Sequence, residues 1–181
     1  MAGFEYRGQL NGSETPRIFN VPITNSAAVT VGDAVQLEVL GSGGGCKRAA
    51  AGTEILGIVQ GIVNKKGIDL DNADPNTFDG TWVSSTKTYT AASDNMTDKE
   101  IMAQVVVDKN SIFYNDSAGD LAAADILKFF DLADQDQVAD QNGHDSGGAL
   151  ILIKRDPDGD GDASKGLFII AESELDAYAQ Q

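Results

Sequence analysis

The residue types and spacing most able to support chemistry lie in one acidic segment near the C-terminus. This segment has four carboxylates at alternate positions, Asp156, Asp158, Asp160 and Asp162. The first three occupy the first, third and fifth places of a calcium-binding loop, and Gly161 holds the sixth place, where such a loop turns sharply. Oxygen ligands suit Ca²⁺, and clustered carboxylates repel one another without a cation. The four aspartates are therefore a candidate calcium site.

Two features of the same segment favour a different interpretation. The twelfth place is Leu167, where a calcium loop has a bidentate Glu, and predicted strands flank the segment instead of helices. A solvated acidic hairpin tip gives the same pattern, because Gly and Asp tolerate positive φ. Both interpretations stay open on the sequence.

Other reactive residue types are too sparse for catalysis. His144 is the only histidine and Cys46 the only cysteine, so neither a zinc site nor an activated thiol can be built from them. The glycine-rich stretch Gly41–Gly45 lacks the Gly-Lys-Ser/Thr of a phosphate-binding loop and is predicted to be a turn. The sequence predicts no enzyme, and no cofactor other than the candidate calcium ion.

Alternating apolar residues predict that the chain is mainly β. Val35, Leu37 and Val39 share one face of a strand, and Ile55–Val63 returns as an apolar strand whose two glycines indicate a bulge or a close backbone approach. Further strands are predicted at Thr81–Ala91, Ile101–Lys109, Ile112–Tyr114, Ala149–Arg155 and Gly166–Glu172. We expect a compact β-barrel or β-sandwich-like domain with one or two short helices.

The ends of the chain and its single helical segment complete the predicted organisation. Residues 1–17 are predicted to be an extended arm that either packs back on its own domain or reaches a neighbouring chain. Pro16 and Pro22 bracket a segment expected at a sheet edge. Residues 18–181 form the β-rich domain, with a possible subdomain from about residue 112. Asp120 could cap a helix over Leu121–Leu127, and the polar stretch Asp131–Gly148 is predicted to be an irregular surface loop.

Charge and composition exclude several classes of partner. The formal net charge is −15, yet residues 1–70 contain six acidic and six basic residues, so the excess falls on residues 71–181. An acidic surface repels nucleic acid and anionic membrane, and neither is expected as a partner. No apolar segment is long enough to span a bilayer, and no secretory signal is expected. The single cysteine fits synthesis in a reducing compartment.

The order of these features resembles a known family of viral proteins. An N-terminal arm leads to an edge segment, a glycine-rich β region and a later strand followed by an aspartate-flanked apolar stretch. The segments that carry the resemblance are Phe4–Gly12, Val29–Val35, Ala51–Val59, Val105–Asp108, Phe113–Tyr114 and Asp120–Leu132. Together they resemble the head decoration, or capsid cement, proteins of tailed bacteriophages.

The resemblance implies a non-enzymatic structural protein of the virion. Such a protein is made in the host bacterial cytoplasm, binds the major capsid protein at the outer capsid surface and associates with itself, as a homotrimer or a dimer. The arm and the edge segment supply the expected capsid or oligomer contacts, Phe4, Tyr6, Arg7, Leu10, Arg17 and Phe19. The resemblance does not extend to the acidic segment.

Two alternatives from other classes remain. A phage tail or adhesion module would bind a receptor or glycan through exposed aromatics near Trp82 and Tyr89, with calcium at Asp156–Asp162. A hydrolase would use His144, but no orienting partner is evident in the sequence. Glycan binding separates the adhesion module from a decoration protein, which should show none.

Overall fold

The computed structural model shows a chain built mainly from antiparallel strands. It describes residues 3–10, 12, 15–40, 43–95, 101–133, 138–139, 143–145 and 147–171. Within these residues, packed antiparallel sheets form a β-sandwich-like fold with very little helix. The predicted mainly β fold is confirmed. Of the two predicted forms, the described residues adopt the β-sandwich-like one and not a closed barrel.

The described strands form three sheets and one small hairpin. Sheet I contains, in order across the sheet, β1 (Glu5–Gln9), β10 (Ser111–Asp116), β15 (Lys165–Ile170), β14 (Leu150–Arg155) and β11 (Phe129–Phe130). Sheet II contains β2 (Ile18–Pro22), β9 (Met102–Val106), β6 (Gly57–Val63), β4 (Ala34–Leu40) and β5 (Gly43–Arg48). Sheet III contains β3 (Ala28–Thr30), β8 (Thr88–Thr90) and β7 (Thr81–Val83), and β12 (Leu132–Ala133) pairs with β13 (Val138–Ala139).

Sheet II contributes side chains to two hydrophobic cores. Ile58 of β6 belongs to a core that includes residues of sheet I, whereas its neighbour Val59 belongs to a core that includes residues of sheet III. In β9, likewise, Val106 belongs to the first of these cores and its neighbour Val105 belongs to the second. Because successive side chains of a strand point to opposite faces, both faces of sheet II are buried. This explains why β6 is apolar almost throughout rather than alternating.

Both glycines of β6 have the roles that the sequence indicates. The register of β6 against β9 shifts between Val59 and Gly61, which is a bulge. A Cβ at Gly57 would overlap the carbonyl oxygen of Val106, so the backbones approach too closely for a side chain. Glycine is needed at position 57 for space, and the two predictions are confirmed together.

The proline-bracketed segment lies at a sheet edge, as predicted. β2 is the first strand of sheet II and pairs only with β9 in the strand order of that sheet. Just beyond it, Ile23 forms an isolated bridge with Cys46 of β5, and the Thr24 amide donates to the Cys46 carbonyl at 2.9 Å. The two outer strands of sheet II therefore approach each other at this point.

The predicted helix over Leu121–Leu127 is wrong. A 3-10 turn covers only Ala123–Asp125, and the Asp125 carboxylate accepts a hydrogen bond from the Ala122 amide. Leu127 has a φ of +70° and its amide donates to the Leu152 carbonyl, so the chain leaves helical geometry and joins sheet I. Tertiary pairing overrides the helix propensity of the alanines here.

Three further predictions are corrected. Thr81–Ala91 is not one strand but the β7–β8 hairpin, because the turn includes Lys87 at φ +54°. The glycines at 43–45 belong to β5 and pair with β4, so they are not a turn, while residues 41–42 lie outside the described residues. The loop predicted at Asp131–Gly148 contains buried Leu132 and Ala139 on the β12–β13 hairpin, so its start is core rather than surface.

The N-terminal segment packs back on its own domain. β1 pairs with β10 in sheet I, and Phe4 is 3% exposed in the core between sheets I and II. Within residues 1–17, Glu5–Gln9 is thus an edge strand of the domain. The same core contains Phe113 and Phe168, so it joins residues on both sides of position 112.

Candidate docking surfaces

Residues 156–164, which connect β14 and β15 and which we call the acidic hairpin, contain aspartates that accept hydrogen bonds from the hairpin's own backbone. Asp156, at φ +41°, accepts hydrogen bonds from the amides of Asp160 at 3.1 Å and Gly161 at 3.2 Å. Asp162 accepts from the amide and the hydroxyl of Ser164 at 3.1 and 2.6 Å. These bonds fold the segment into the tight tip that connects β14 and β15.

Lys165 supplies the positive charge that the carboxylates need. Its Nζ lies 2.8 Å from Asp160 Oδ2 and 3.3 Å from Asp162 Oδ2. The hydrogen bond to Lys165 is the main cause that lowers the pKa of Asp160, and the hydrogen bond from Ser164 is the main cause for Asp162. The same contacts raise the pKa of Lys165, chiefly the one with Asp160.

The geometry does not assemble the predicted calcium site. Across the described residues, no group of three or more His, Cys, Asp or Glu side chains is placed to hold a metal ion. Asp156 points its oxygens at backbone amides, while Asp160 and Asp162 share an ammonium group. The acidic hairpin interpretation, with Lys165 as a built-in cation, fits this donor set, and calcium binding by the segment stays a prediction.

His144 and Cys46 lie in different parts of the fold. The backbone of His144 pairs with Phe129 at the edge of sheet I, and its Nε2 is 4.0 Å from Asp131 Oδ2 on the exposed surface. Cys46 is fully buried in sheet II, and burial raises the pKa of its thiol to about 12. The two side chains therefore do not form a nucleophile and base pair.

Three of the six predicted interface residues, Phe4, Tyr6 and Arg7, make side-chain contacts within their own domain. Phe4 packs edge-on against Phe113 with ring centroids 6.4 Å apart, and Tyr6 does so at 6.0 Å. Arg7 is exposed, pairs with Glu5 at 3.1 Å and lies 4.9 Å from the centroid of the Tyr114 ring. Phe4 has almost no surface to offer a second chain, whereas Arg7 does.

The other predicted interface residues meet at one end of the molecule. The Leu10 amide donates to the Asn110 carbonyl at 2.9 Å, and the Val107 amide donates to the Arg17 carbonyl at 3.1 Å. Both residues thus flank the turn that connects β9 and β10. Phe19 follows in β2, with the Arg17 guanidinium 5.0 Å from its ring centroid.

This end of the molecule exposes large apolar side chains. Leu10 is 51% exposed, Ile18 45% and Phe19 39%. Ile18 and Phe19 are successive residues of β2, so they are exposed on its two opposite sides. We call Leu10, Arg17, Ile18 and Phe19, which surround this free strand edge and the adjacent turn, the edge patch. Sequence reasoning missed Ile18, although a short edge strand with two successive apolar residues must expose at least one of them unless another layer covers it.

An open cleft of about 510 Å³ lies where β1, β6 and the ends of β10 and β15 meet. Tyr6, Gln60, Tyr114, Asp116 and Lys165 are among the residues that line it. Desolvation is the main cause that raises the pKa of Tyr114, and the Lys165 ammonium acts in the opposite direction. The sequence could not reveal the cleft, because its lining comes from four separate strands.

Comparisons with protein-family models, with curated proteins and with solved structures find no match to this chain. Within the described residues, no helix combines the length and the apolar character required to cross a membrane.

Proposed function

We propose that this chain is a non-enzymatic decoration protein that binds the outer surface of a bacteriophage capsid and stabilises it. The observation that carries the proposal is the edge patch, where three large apolar side chains are exposed around one free strand edge and the Arg17 guanidinium lies over the Phe19 ring. Apolar side chains with an arginine are typical of the centre of protein–protein interfaces.

The charge distribution supports a protein partner at the edge patch. The patch belongs to residues 1–70, whose acidic and basic residues cancel, whereas the excess negative charge lies later in the chain. A neutral apolar patch loses little solvation energy when it docks, and acidic residues elsewhere favour solubility. Many copies bound to one shell would add their separate affinities through multivalency.

The proposal includes the place where the protein acts. The chain would be synthesised in the host bacterial cytoplasm, which fits a buried lone thiol, and would then reside on the capsid surface. Its partner would be the major capsid protein, and it would make no contact with nucleic acid or membrane.

Co-sedimentation with empty, expanded capsids of the phage that encodes the chain tests the proposal. We expect wild-type protein to sediment with the shells and Phe19→Asp to bind at least about tenfold more weakly, because the substitution charges the centre of the patch. Ile68→Asp is the matched control, since Ile68 is 42% exposed outside the patch. Failure of wild type to bind, or equal loss in both variants, would contradict the proposal.

The cleft favours a second candidate, a tail or adhesion module that binds a glycan. The aromatics predicted for that role are not suitable, because Tyr89 is fully buried and the Trp82 indole donates to Asp71 at 3.1 Å. Tyr114 and Asp116 in the cleft provide instead a ring and a carboxylate of the kind that polar ligands use.

Glycan-array binding separates the two candidates. An adhesion module should bind a defined glycan, and Tyr114→Ala should abolish that binding while Phe19→Asp leaves it unchanged. A decoration protein should show no glycan signal and should lose capsid binding only through the edge patch.

A further inference from the structure

β2 directs part of its backbone hydrogen-bonding groups away from its partner strand β9. The Val107 amide donates to the Arg17 carbonyl, and the Ile23 amide donates to the Ile101 carbonyl. In an antiparallel ladder such bonded pairs recur at every second residue, so the intervening residues point their amides and carbonyls to the other side of the strand. The intervening residues of β2 are Ile18, Asn20 and Pro22.

The outward backbone groups of Ile18 and Asn20 are open to solvent. β2 stands first in the strand order of sheet II, and among the described residues none accepts a hydrogen bond from either amide. Ile18, Phe19 and Asn20 are all exposed. The bridge to β5 lies beyond the strand, at Ile23, and leaves this part of the edge open.

Two prolines set the length of this open edge. Pro22 is an outward residue without an amide hydrogen, and Pro16 comes two residues before Ile18. Prolines on an edge strand prevent open-ended pairing with another chain. The prolines leave two outward amides between them, those of Ile18 and Asn20, which is enough for a short strand.

Apolar side chains flank the open edge on both faces of the sheet. Phe19 pairs with Val105, whose side chain belongs to the core that includes sheet III residues. Ile18 pairs with Val106, whose side chain belongs to the core that includes sheet I residues. Because paired residues share a face, Phe19 and Ile18 extend the two apolar layers to the edge. The segment between the two prolines carries a single charge, Arg17.

We propose that this edge binds a short extended segment of the major capsid protein, which adds to sheet II as a further strand beside β2. The identity of the partner rests on the proposed function. An extended peptide is the ligand whose amides and carbonyls alternate at the spacing of Ile18 and Asn20. Backbone pairing of this kind supplies affinity, and alternate side chains supply specificity. Because Ile18 and Phe19 lie on opposite faces, the added segment carries apolar residues on both of its faces.

Co-sedimentation of two Asn20 variants with empty, expanded capsids tests the backbone contact. Asn20→Pro removes an outward amide and leaves the hydrogen bonds between β2 and β9 in place. Asn20→Ala is the matched control, because it removes the same side chain and keeps the amide. We expect Asn20→Pro to bind at least about tenfold more weakly than wild type, and Asn20→Ala to bind within about threefold of it.

The outcomes separate this inference from the proposed function. Wild type that does not bind the shells contradicts the proposed function. Wild type that binds while Asn20→Pro binds equally well, or while both variants lose binding equally, overturns the strand pairing alone.

Hydrogen exchange on the wild-type protein gives a second measurement that needs no variant. The amides of Ile18 and Asn20 should exchange at least about tenfold more slowly in shell-bound than in free protein, because each gains an acceptor. Unchanged exchange at both amides would overturn the proposal. So would a doubled mass of the free protein in light scattering that Asn20→Pro abolishes, because the edge would then bind a second copy of this chain.

Discussion

Phe4 and Phe19 are aromatic residues of the same N-terminal region, yet the fold gives them opposite environments. Phe4 is 3% exposed and contacts Phe113, whereas Phe19 is 39% exposed on an edge strand. The sequence suggested an interface role for both. Whether each phenylalanine lies in the core or at the surface depends on the strand with which its segment pairs. The partner strand of β1 lies about a hundred residues away in the chain.

Replacing each phenylalanine by alanine should separate the two environments. We expect Phe4→Ala to lower the free energy of unfolding by about 3 kcal/mol, because it leaves a cavity in the core. Phe19→Ala should lower it by less than about 1 kcal/mol. Urea unfolding followed by Trp82 fluorescence measures both, and equal losses would show that β1 is not part of the domain core.

Asp33 is a carboxyl whose burial disfavours its charged form, while two neighbouring groups favour that form. Burial is the main cause that raises its pKa, although the Thr30 amide at 2.8 Å and the Arg48 guanidinium at 3.5 Å act in the opposite direction. A group whose pKa is higher in the folded than in the unfolded state binds more protons when folded. Its contribution to stability is therefore present at low pH and lost as the pH rises.

Asp33→Asn should reveal this pH dependence. Asparagine cannot ionise and still offers an oxygen to the Thr30 amide. We expect the variant to gain stability relative to wild type between about pH 3 and pH 7, since wild type alone loses stability as its unfolded state ionises. Urea unfolding at several pH values measures the difference, and a constant difference across this range would refute the assignment.

The elements that the sequence predicts well are those whose pattern is local. Val35 and Leu37 of β4 face the same core, as the alternation predicts, while the side chain of Val39 lies outside the described residues. β9 and β14 lie within the predicted apolar segments, and β15 begins one residue before its segment, at Lys165. The helix at Leu121–Leu127 and the single strand at Thr81–Ala91 failed, because long-range pairing and a turn residue at positive φ decide those segments. Of the candidate sites, the aspartates of the predicted calcium site are a local pattern that the sequence shows and that Lys165 contacts in the fold, while the cleft requires strand register.

The close approach of β6 to β9 makes one glycine indispensable. We expect Gly57→Ala to lower the free energy of unfolding by about 3 kcal/mol or more, because the methyl group overlaps the backbone of β9, which cannot move aside alone. Gly44→Ala is the control. Gly44 also lies in a strand of sheet II, but nothing lies within 4 Å of its added Cβ, so its effect should be small. Thermal and urea unfolding measure both variants. Comparable losses of stability in Gly57→Ala and Gly44→Ala would contradict a steric cause.

At the scale of the whole molecule, charge and apolar surface act against each other. Each chain carries a formal −15, so two chains repel at low ionic strength. Repulsion between the whole chains should therefore dominate the dependence of the expected self-association on salt.

Self-association should strengthen as salt rises. Between about 50 and 500 mM NaCl, the dissociation constant of the expected homo-oligomer should fall, because screening removes the repulsion between chains and leaves apolar contacts unaffected. Sedimentation equilibrium at several salt concentrations measures it. A dissociation constant that rises with salt would mean that attraction between opposite charges dominates.

The pairing of β1 with β10 also sets an order for folding during synthesis. Sheet II can close once Val106 has left the ribosome, because all its strands lie between Ile18 and Val106. β1 precedes the strands of sheet II in the chain but has no partner strand until Ser111–Asp116 follows, and sheet I is complete only after β15. β1 therefore gains its partner strand only after every strand of sheet II has been made.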